Sequence, residues 1–214
     1  MSLAIVYTRA ALGIEAPLIT VEVHLSNGLP GLTMVGLPET TVKEARDRVR
    51  SALINSGYAF PAKKITINLA PADLPKEGGR YDLPIALALL VASEQLNTTR
   101  LNQYEFVGEL ALTGGLRGVP GAIPSAMEAI KAGRRIVVSS DNAAEVGLIG
   151  GSDCLAADHL QEVCAFLAGR HRFRRLSPRR LLGMNATKIC SMLSASSRAN
   201  ERWRLWPPVV TTCS

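Results

Sequence analysis

Nine residues, Leu83 to Val91 (Leu-Pro-Ile-Ala-Leu-Ala-Leu-Leu-Val), constrain this chain more than any other stretch, because they are apolar on nearly every face of a helix. Such a helix has no side to give to water, so other elements must cover it all round. It falls well short of the roughly 18 apolar residues of a membrane span, and so does every other run in the chain. The cover must therefore be protein.

The segments available to cover it alternate between strand-like and helix-like across the first 170 residues, punctuated by Gly and Pro, the pattern of an α/β or α+β domain. Leu3 to Tyr7 reads as a strand. Val21 to Leu25 and Leu32 to Val35 flank Asn-Gly-Leu-Pro-Gly, which predicts an early hairpin. Pro38 and Glu39 open a helix in which Val42, Ala45, Val49, Ala52 and Leu53 share one face, running to Ser56 and stopping at Gly57. Lys64 to Leu69 alternates as a strand. Gly108 to Val119 is a turn-rich strand region, Ala122 to Ala132 a helix, Arg135 to Val138 a strand and His159 to Leu167 a closing helix.

A hydrophobic fraction of 47% is ample for a core of this size, and the net charge of +6 first suggests a nucleic-acid partner. The charge is uneven, however. Residues 1–170 hold 15 Lys and Arg against 17 Asp and Glu, or −2, while residues 171–214 hold 9 against 1, or +8. That last part has no sustained period and reads as a basic, disordered tail over 172–214 behind a domain over 1–171. Within the domain, Lys43, Arg46, Arg48 and Arg50 are interleaved with Glu39, Glu44 and Asp47, which predicts a solvated helix surface, with contact to a phosphate backbone as the lesser reading.

The N-terminus lacks the basic start and small-residue cleavage site of a signal peptide, so the chain is expected in the cytoplasm with no membrane partner. Cys154, Cys164, Cys190 and Cys213 form no C-x-x-C pair and have no histidine at ligand spacing, so neither zinc nor a disulfide framework is expected. His24, His159 and His171 stand in no nucleophile constellation.

The loop Pro71-Ala-Asp-Leu-Pro-Lys-Glu-Gly-Gly-Arg80-Tyr-Asp82 runs into the apolar helix, and a Gly-rich loop before a helix N-terminus can cradle an anion. Lys76, Gly78, Gly79 and Arg80 are the candidate anion or partner contacts, although the glycines equally serve a tight turn. G-x-x-x-x-G-K-[ST] occurs nowhere, so no Walker nucleotide site is expected.

Four blocks in order, residues 28–39 (Gly-Leu-Pro-Gly-Leu-Thr-Met-Val-Gly-Leu-Pro-Glu), 64–78 (Lys-Ile-Thr-Ile-Asn-Leu-Ala-Pro-Ala-Asp-Leu-Pro-Lys-Glu-Gly), 81–86 (Tyr-Asp-Leu-Pro-Ile-Ala) and 108–114 (Gly-Glu-Leu-Ala-Leu-Thr-Gly), resemble the N-terminal domain of the bacterial YifB/ComM family of magnesium-chelatase-like, competence-associated AAA+ proteins. The resemblance implies an α+β fold like domain 2 of ribosomal protein S5, shared with the proteolytic domain of Lon. In complete members it implies a following AAA+ ATPase that uses ATP and Mg, assembles as a hexamer and acts on DNA in branch migration. For this chain alone it implies no cofactor, with the AAA+ module as partner and DNA as a further one.

The kinship with Lon also tests an enzyme hypothesis. Lon-type peptidases use a serine at the head of the buried helix and a lysine in the later one. An ungapped alignment anchored on Gly108-Glu109 places Asp82 at the first position and Ser125 at the second, so the dyad is absent and no catalysis is expected. Asp82 is then expected to cap its helix, a contribution of about 1 kcal/mol.

The tail departs from the family. Trp206-Pro-Pro-Val-Val-Thr-Thr-Cys-Ser214 can be encoded so that a shifted frame reads Ala-Ala-Gly-Gly-His-Asn-Leu-Leu, which resembles the approach to the family's phosphate-binding loop. The expectation is a frame shift near His171, leaving the domain without its ATPase. Two other readings stand beside the accessory domain: a stand-alone S5-like nucleic-acid-binding module, and a Lon-like serine peptidase with displaced catalytic groups.

Overall fold

The computed structural model of the 214-residue chain describes residues 2–36, 44–149, 153–170 and 173. The basic tail from residue 174 onward and the expected helix start at Pro38 lie outside these residues.

Nine strands are described: β1 (Ser2–Arg9), β2 (Leu18–Ser26), β3 (Gly31–Val35), β4 (Lys64–Ala70), β5 (Tyr104–Phe106), β6 (Glu109–Leu110), β7 (Leu116–Arg117), β8 (Arg135–Ser139) and β9 (Cys154–Ala157). Five helices accompany them: α1 (Ala45–Asn55), α2 (Asp82–Ala92), α3 (Ala122–Lys131), α4 (Ala143–Val146) and α5 (Leu160–Leu167). Seven strands form one mixed sheet in the order β3-β4-β2-β1-β5-β8-β9, while β6 and β7 pair as a small antiparallel ribbon. Four of the six strand pairings are parallel, and only β2 runs against its neighbours. The chain is thus a mixed α and β domain with a mostly parallel central sheet.

The two halves of the sheet differ in a way the side chains dictate. In β2 and β4, alternate residues Ile19, Val21, Val23, Leu25, Ile65, Ile67 and Leu69 are buried, and the residues between them are partly exposed or exposed. One face of this half packs on the core and the other meets water. In β8 the burial is continuous from Ile136 to Ser139. Val137 joins the core around α2 and α5, whereas Ile136 and Val138 join a second core with Ala122, Ala126 and Ala129 of α3. That half of the sheet is covered on both faces.

α2 is the element around which the larger core closes. Ten of its eleven residues are buried, Val91 being the exception. It lies against β1 and β2 with α1 beside it. Each of its leucines contributes about 1.5–3 kcal/mol by leaving water.

The expected hairpin between β2 and β3 does not form. β2 is flanked by β1 and β4, and β3 lies parallel to β4 on its other side, with Met34 opposite Ile67. Gly28 has φ +141°, outside the left-handed turn conformation that a two-residue hairpin needs, so Asn27–Pro30 serves as a link and not a tight turn. Gly36 then passes so close to Leu69 that a Cβ there would sit 2.1 Å from the Leu69 carbonyl oxygen. Strands β5 and β9 and the one-turn α4 were not anticipated.

α1 ends as its sequence suggests, at Ser56 with Gly57 at φ +81°. Past α5, Phe173 is buried and its ring lies 4.3 Å from that of Phe166. Among the described residues no helix is long and apolar enough to cross a membrane, and no group of three His, Cys, Asp or Glu side chains is placed to hold a metal ion.

Candidate functional site

At the head of α2 two of the motif blocks, 81–86 and 108–114, come together. Its first turn carries Pro84, tolerated because the first N–H groups of a helix have no partner within it. The N–H of Leu83 donates instead to the Gly108 carbonyl at 3.2 Å, and the N–H of Gly108 donates to the Arg80 carbonyl at 3.3 Å. A Cβ on Gly79 would lie 2.5 Å from the Glu109 side chain, which would have to shift to admit it. The loop over 71–81 and the segment from Gly108 are thereby held against the helix.

Asp82 sits in this junction with no solvent exposure. It does not cap α2, because it is the first residue of the helix and follows a 3-10 turn over Gly79–Tyr81, so it is past the capping position. Its carboxylate instead accepts from Arg48, with Nε to Oδ2 at 2.7 Å and Nη2 to Oδ1 at 3.1 Å, and from the backbone N–H of Leu110 at 3.2 Å. Arg48 is therefore not part of a solvated helix surface. It leaves the other arginines of α1 and reaches 34 positions along the chain to form a bidentate pair, with a quarter of its side chain exposed.

Burial pushes the Asp82 carboxyl up to about 6, and nearby Glu109 adds to the rise, while the Arg48 guanidinium and the Leu110 N–H oppose it. The same contact raises the Arg48 guanidinium. Arg48 also lies 4.0 Å from Glu44.

Ser125, on α3, is buried and donates its hydroxyl proton to the Gly121 carbonyl at 2.8 Å, one turn back in the same segment. Among the described residues Asp82 and Ser125 each bond elsewhere and not to one another.

The anion-contact candidates are turned inward. Lys76 is fully buried, and its Nζ donates to the carbonyls of Pro71 at 2.5 Å and Leu74 at 2.8 Å; burial lowers its pKa. Arg80 is buried too, donating to the carbonyls of Arg9 at 3.3 Å and of Pro120. Gly78 has φ +75°, the tight-turn use of the glycine. Lys76 and Arg80 thus bind loop carbonyls, and the surface of the loop is left to Asp73, Glu77 and partly exposed Glu109.

A second buried ionic cluster went unanticipated. Glu105 of β5, with no exposure, accepts from Arg9 (Nε at 2.6 Å, Nη2 at 2.8 Å) and from Arg134 at 3.2 Å, and Arg134 in turn stacks 4.3 Å over the Tyr7 ring. Arg9 also donates to the carbonyls of Ala16 and Glu128. This cluster ties β1, β5 and the end of α3 together, and nothing in the local sequence marks it.

The remaining candidates are structural in their contacts. His159 accepts from the Gln161 N–H at 3.2 Å and places Nε2 3.1 Å from the Thr113 carbonyl, at the start of α5. His24 lies on the water-facing side of β2, and His171 is outside the described residues. Cys154 and Cys164 are free and buried, and burial pushes both thiols up to about 11, so neither offers a thiolate at neutral pH. Cys190 and Cys213 lie outside the described residues.

Residues 21–142 match the family described as subunit ChlI of Mg-chelatase. An uncharacterized protein YifB of Escherichia coli K12 is 77% identical over 178 residues, which are 83% of this chain and 35% of that protein. Competence protein ComM of Haemophilus influenzae Rd is 59% identical over 172 residues, 80% of this chain and 34% of its own length. An uncharacterized protein of Mycobacterium tuberculosis H37Rv is 36% identical over 170 residues, 79% of this chain and 34% of the relative. The chain spans about a third of the length of these relatives.

Proposed function

Since this chain belongs to the family of Mg-chelatase subunit ChlI and resembles YifB and ComM through its N-terminal region, we propose that it is a non-catalytic N-terminal accessory domain of a magnesium-chelatase-like AAA+ ATPase of the DNA branch-migration and competence type. Its fold is of the kind found in domain 2 of ribosomal protein S5 and in the Lon proteolytic domain. Its partner is the AAA+ module, with DNA a further partner of the assembled hexamer, and its compartment is the cytoplasm. ATP and Mg belong to the module and not to this domain.

The observation that carries this reading is the Arg48–Asp82 pair at the head of α2. Where the Lon-type alignment puts a serine nucleophile, the chain has Asp82, buried and gripped by Arg48. Where it puts the lysine base, Ser125 is bonded back into its own helix. A carboxylate cannot form the acyl-enzyme and a serine cannot replace an amine base. Blocks 81–86 and 108–114 meet at this junction through the Leu83–Gly108 hydrogen bond, and the absence of any Gly-Lys step leaves no Walker lysine for a nucleotide.

The test pairs the full chain with the portion of the E. coli relative that lies outside the matched third. Analytical ultracentrifugation of the mixture is expected to show a complex, and the chain alone is expected to turn over neither ATP nor an unstructured peptide. Peptide turnover that is lost on Ser125→Ala would overturn the reading in favour of a peptidase.

A further inference from the structure

We propose that Asn27 is a site of spontaneous deamidation in the folded protein, with water as the only co-reactant. Asn27–Gly28 is the single Asn-Gly step among the eight asparagines of the chain. Both residues are exposed, in the link between β2 and β3. Gly28 has no side chain to crowd its N–H, and at φ +141° it adopts backbone that glycine alone accepts comfortably. Among the described residues neither the Gly28 N–H nor the Asn27 amide has a hydrogen-bond partner. The nucleophile is thus unprotected and its electrophile is next to it.

In the reaction the Gly28 backbone nitrogen loses its proton to solvent base and attacks Cγ of Asn27. The Cγ–Nδ2 bond breaks, and ammonia leaves to give a succinimide. Water then adds to one imide carbonyl. Attack at Cγ breaks the Cγ–N bond, keeps the backbone carbonyl bonded to the Gly28 nitrogen and gives Asp; attack at the backbone carbonyl carbon breaks its bond to that nitrogen, leaves Cγ bonded to Gly28 and gives isoAsp. Either way one water is consumed, one ammonia is released and one negative charge is gained.

Three of the other asparagines are held. Asn55 donates to the Leu112 carbonyl at 2.7 Å, Asn68 to Glu22 at 3.0 Å, and Asn142 to the Val119 carbonyl at 3.0 Å. The link itself is tethered only beyond the step, where the Gly31 N–H donates to the Lys63 carbonyl at 3.4 Å. A Cβ on Gly28 would stand 3.9 Å from that of Lys64, so the step passes close to the start of β4. An isoAsp there also lengthens the backbone immediately before the five-residue edge strand β3.

The full chain is incubated in mildly alkaline buffer beside a synthetic peptide of residues 22–33. Conversion is followed by peptide-mapping mass spectrometry and by labelling with an isoaspartyl methyltransferase. The expected result is conversion at Asn27 within about fivefold of the rate in the peptide, because the link needs no local unfolding to react. The seven other asparagines should lag behind, and Asn27→Gln should abolish the label. Conversion slower than that fivefold margin, or spread evenly over the other asparagines, would overturn the proposal.

Discussion

Breaking the Arg48–Asp82 pair from its two ends should give opposite responses to pH. The folded Asp82 titrates at about 6 against an ordinary value of 3.8. Between those values the native state holds a proton that the unfolded chain has released, so this group's contribution to stability is greatest below about pH 4 and is lost as pH rises to about 6. The difference of about 2 pH units corresponds to about 3 kcal/mol at about 1.4 kcal/mol per unit. Asp82→Asn removes the titration and leaves Arg48, a quarter exposed, able to reach water. Its cost should be about 1–2 kcal/mol near pH 4.5 for the lost geometry and should shrink towards zero by pH 8. Arg48→Met does the reverse. It strands a fully buried carboxylate, so its cost should be about 1 kcal/mol near pH 4.5, where Asp82 is protonated, and about 3–5 kcal/mol at pH 8. Urea unfolding followed by far-ultraviolet circular dichroism is the suitable assay, because both tryptophans, Trp203 and Trp206, lie in the tail. Parallel or flat pH profiles for the two variants would refute the reasoning.

Two further perturbations test the scaffold. Glu105→Gln should cost about 3–5 kcal/mol by urea unfolding, since it leaves Arg9, itself buried, without its counter-charge; a loss under about 1 kcal/mol would mean that the cluster does not hold β1 to β5. Gly36→Ala should lower stability by at least about 2 kcal/mol, because φ is +96° and the new methyl would meet the Leu69 backbone, which cannot turn aside as a side chain can; an unchanged urea midpoint would place Gly36 away from β4.

The parts of this fold legible in the sequence are those where one segment's pattern decides the outcome. The all-apolar run at 83–91 had to be central, and α2 is. The alternation in 64–69 had to face two environments, and β4 does. Placement of β3 was not legible: an Asn-Gly step flanked by apolar residues signals a hairpin, but the longer edges of β1 and β4 took both sides of β2. β5 and β9 escaped notice because strands covered on both faces show no alternation, and runs of three or four residues are too short to carry any other signal.

The candidate site divides in the same way. The head of α2 was readable from blocks 81–86 and 108–114. The partner of Asp82 was not. Arg48 looks like Arg46 and Arg50 in sequence, and only the packing of α1 beside α2 selects it. Lys76 and Arg80 next to two glycines looked like an anion contact, because sequence cannot tell a cation aimed at a ligand from one aimed at its own loop's carbonyls.

The central claim, a domain that serves a motor without being one, is tested most directly by a chimera in which residues 1–170 replace the matching third of the E. coli relative. ATP turnover is measured beside this chain alone and beside the relative with that third deleted. The account predicts none from the chain alone, turnover from the chimera, and at least about a tenfold loss in the deletion, equivalent to about 1.4 kcal/mol. Turnover by the chain alone, or a deletion as active as the chimera, would contradict it.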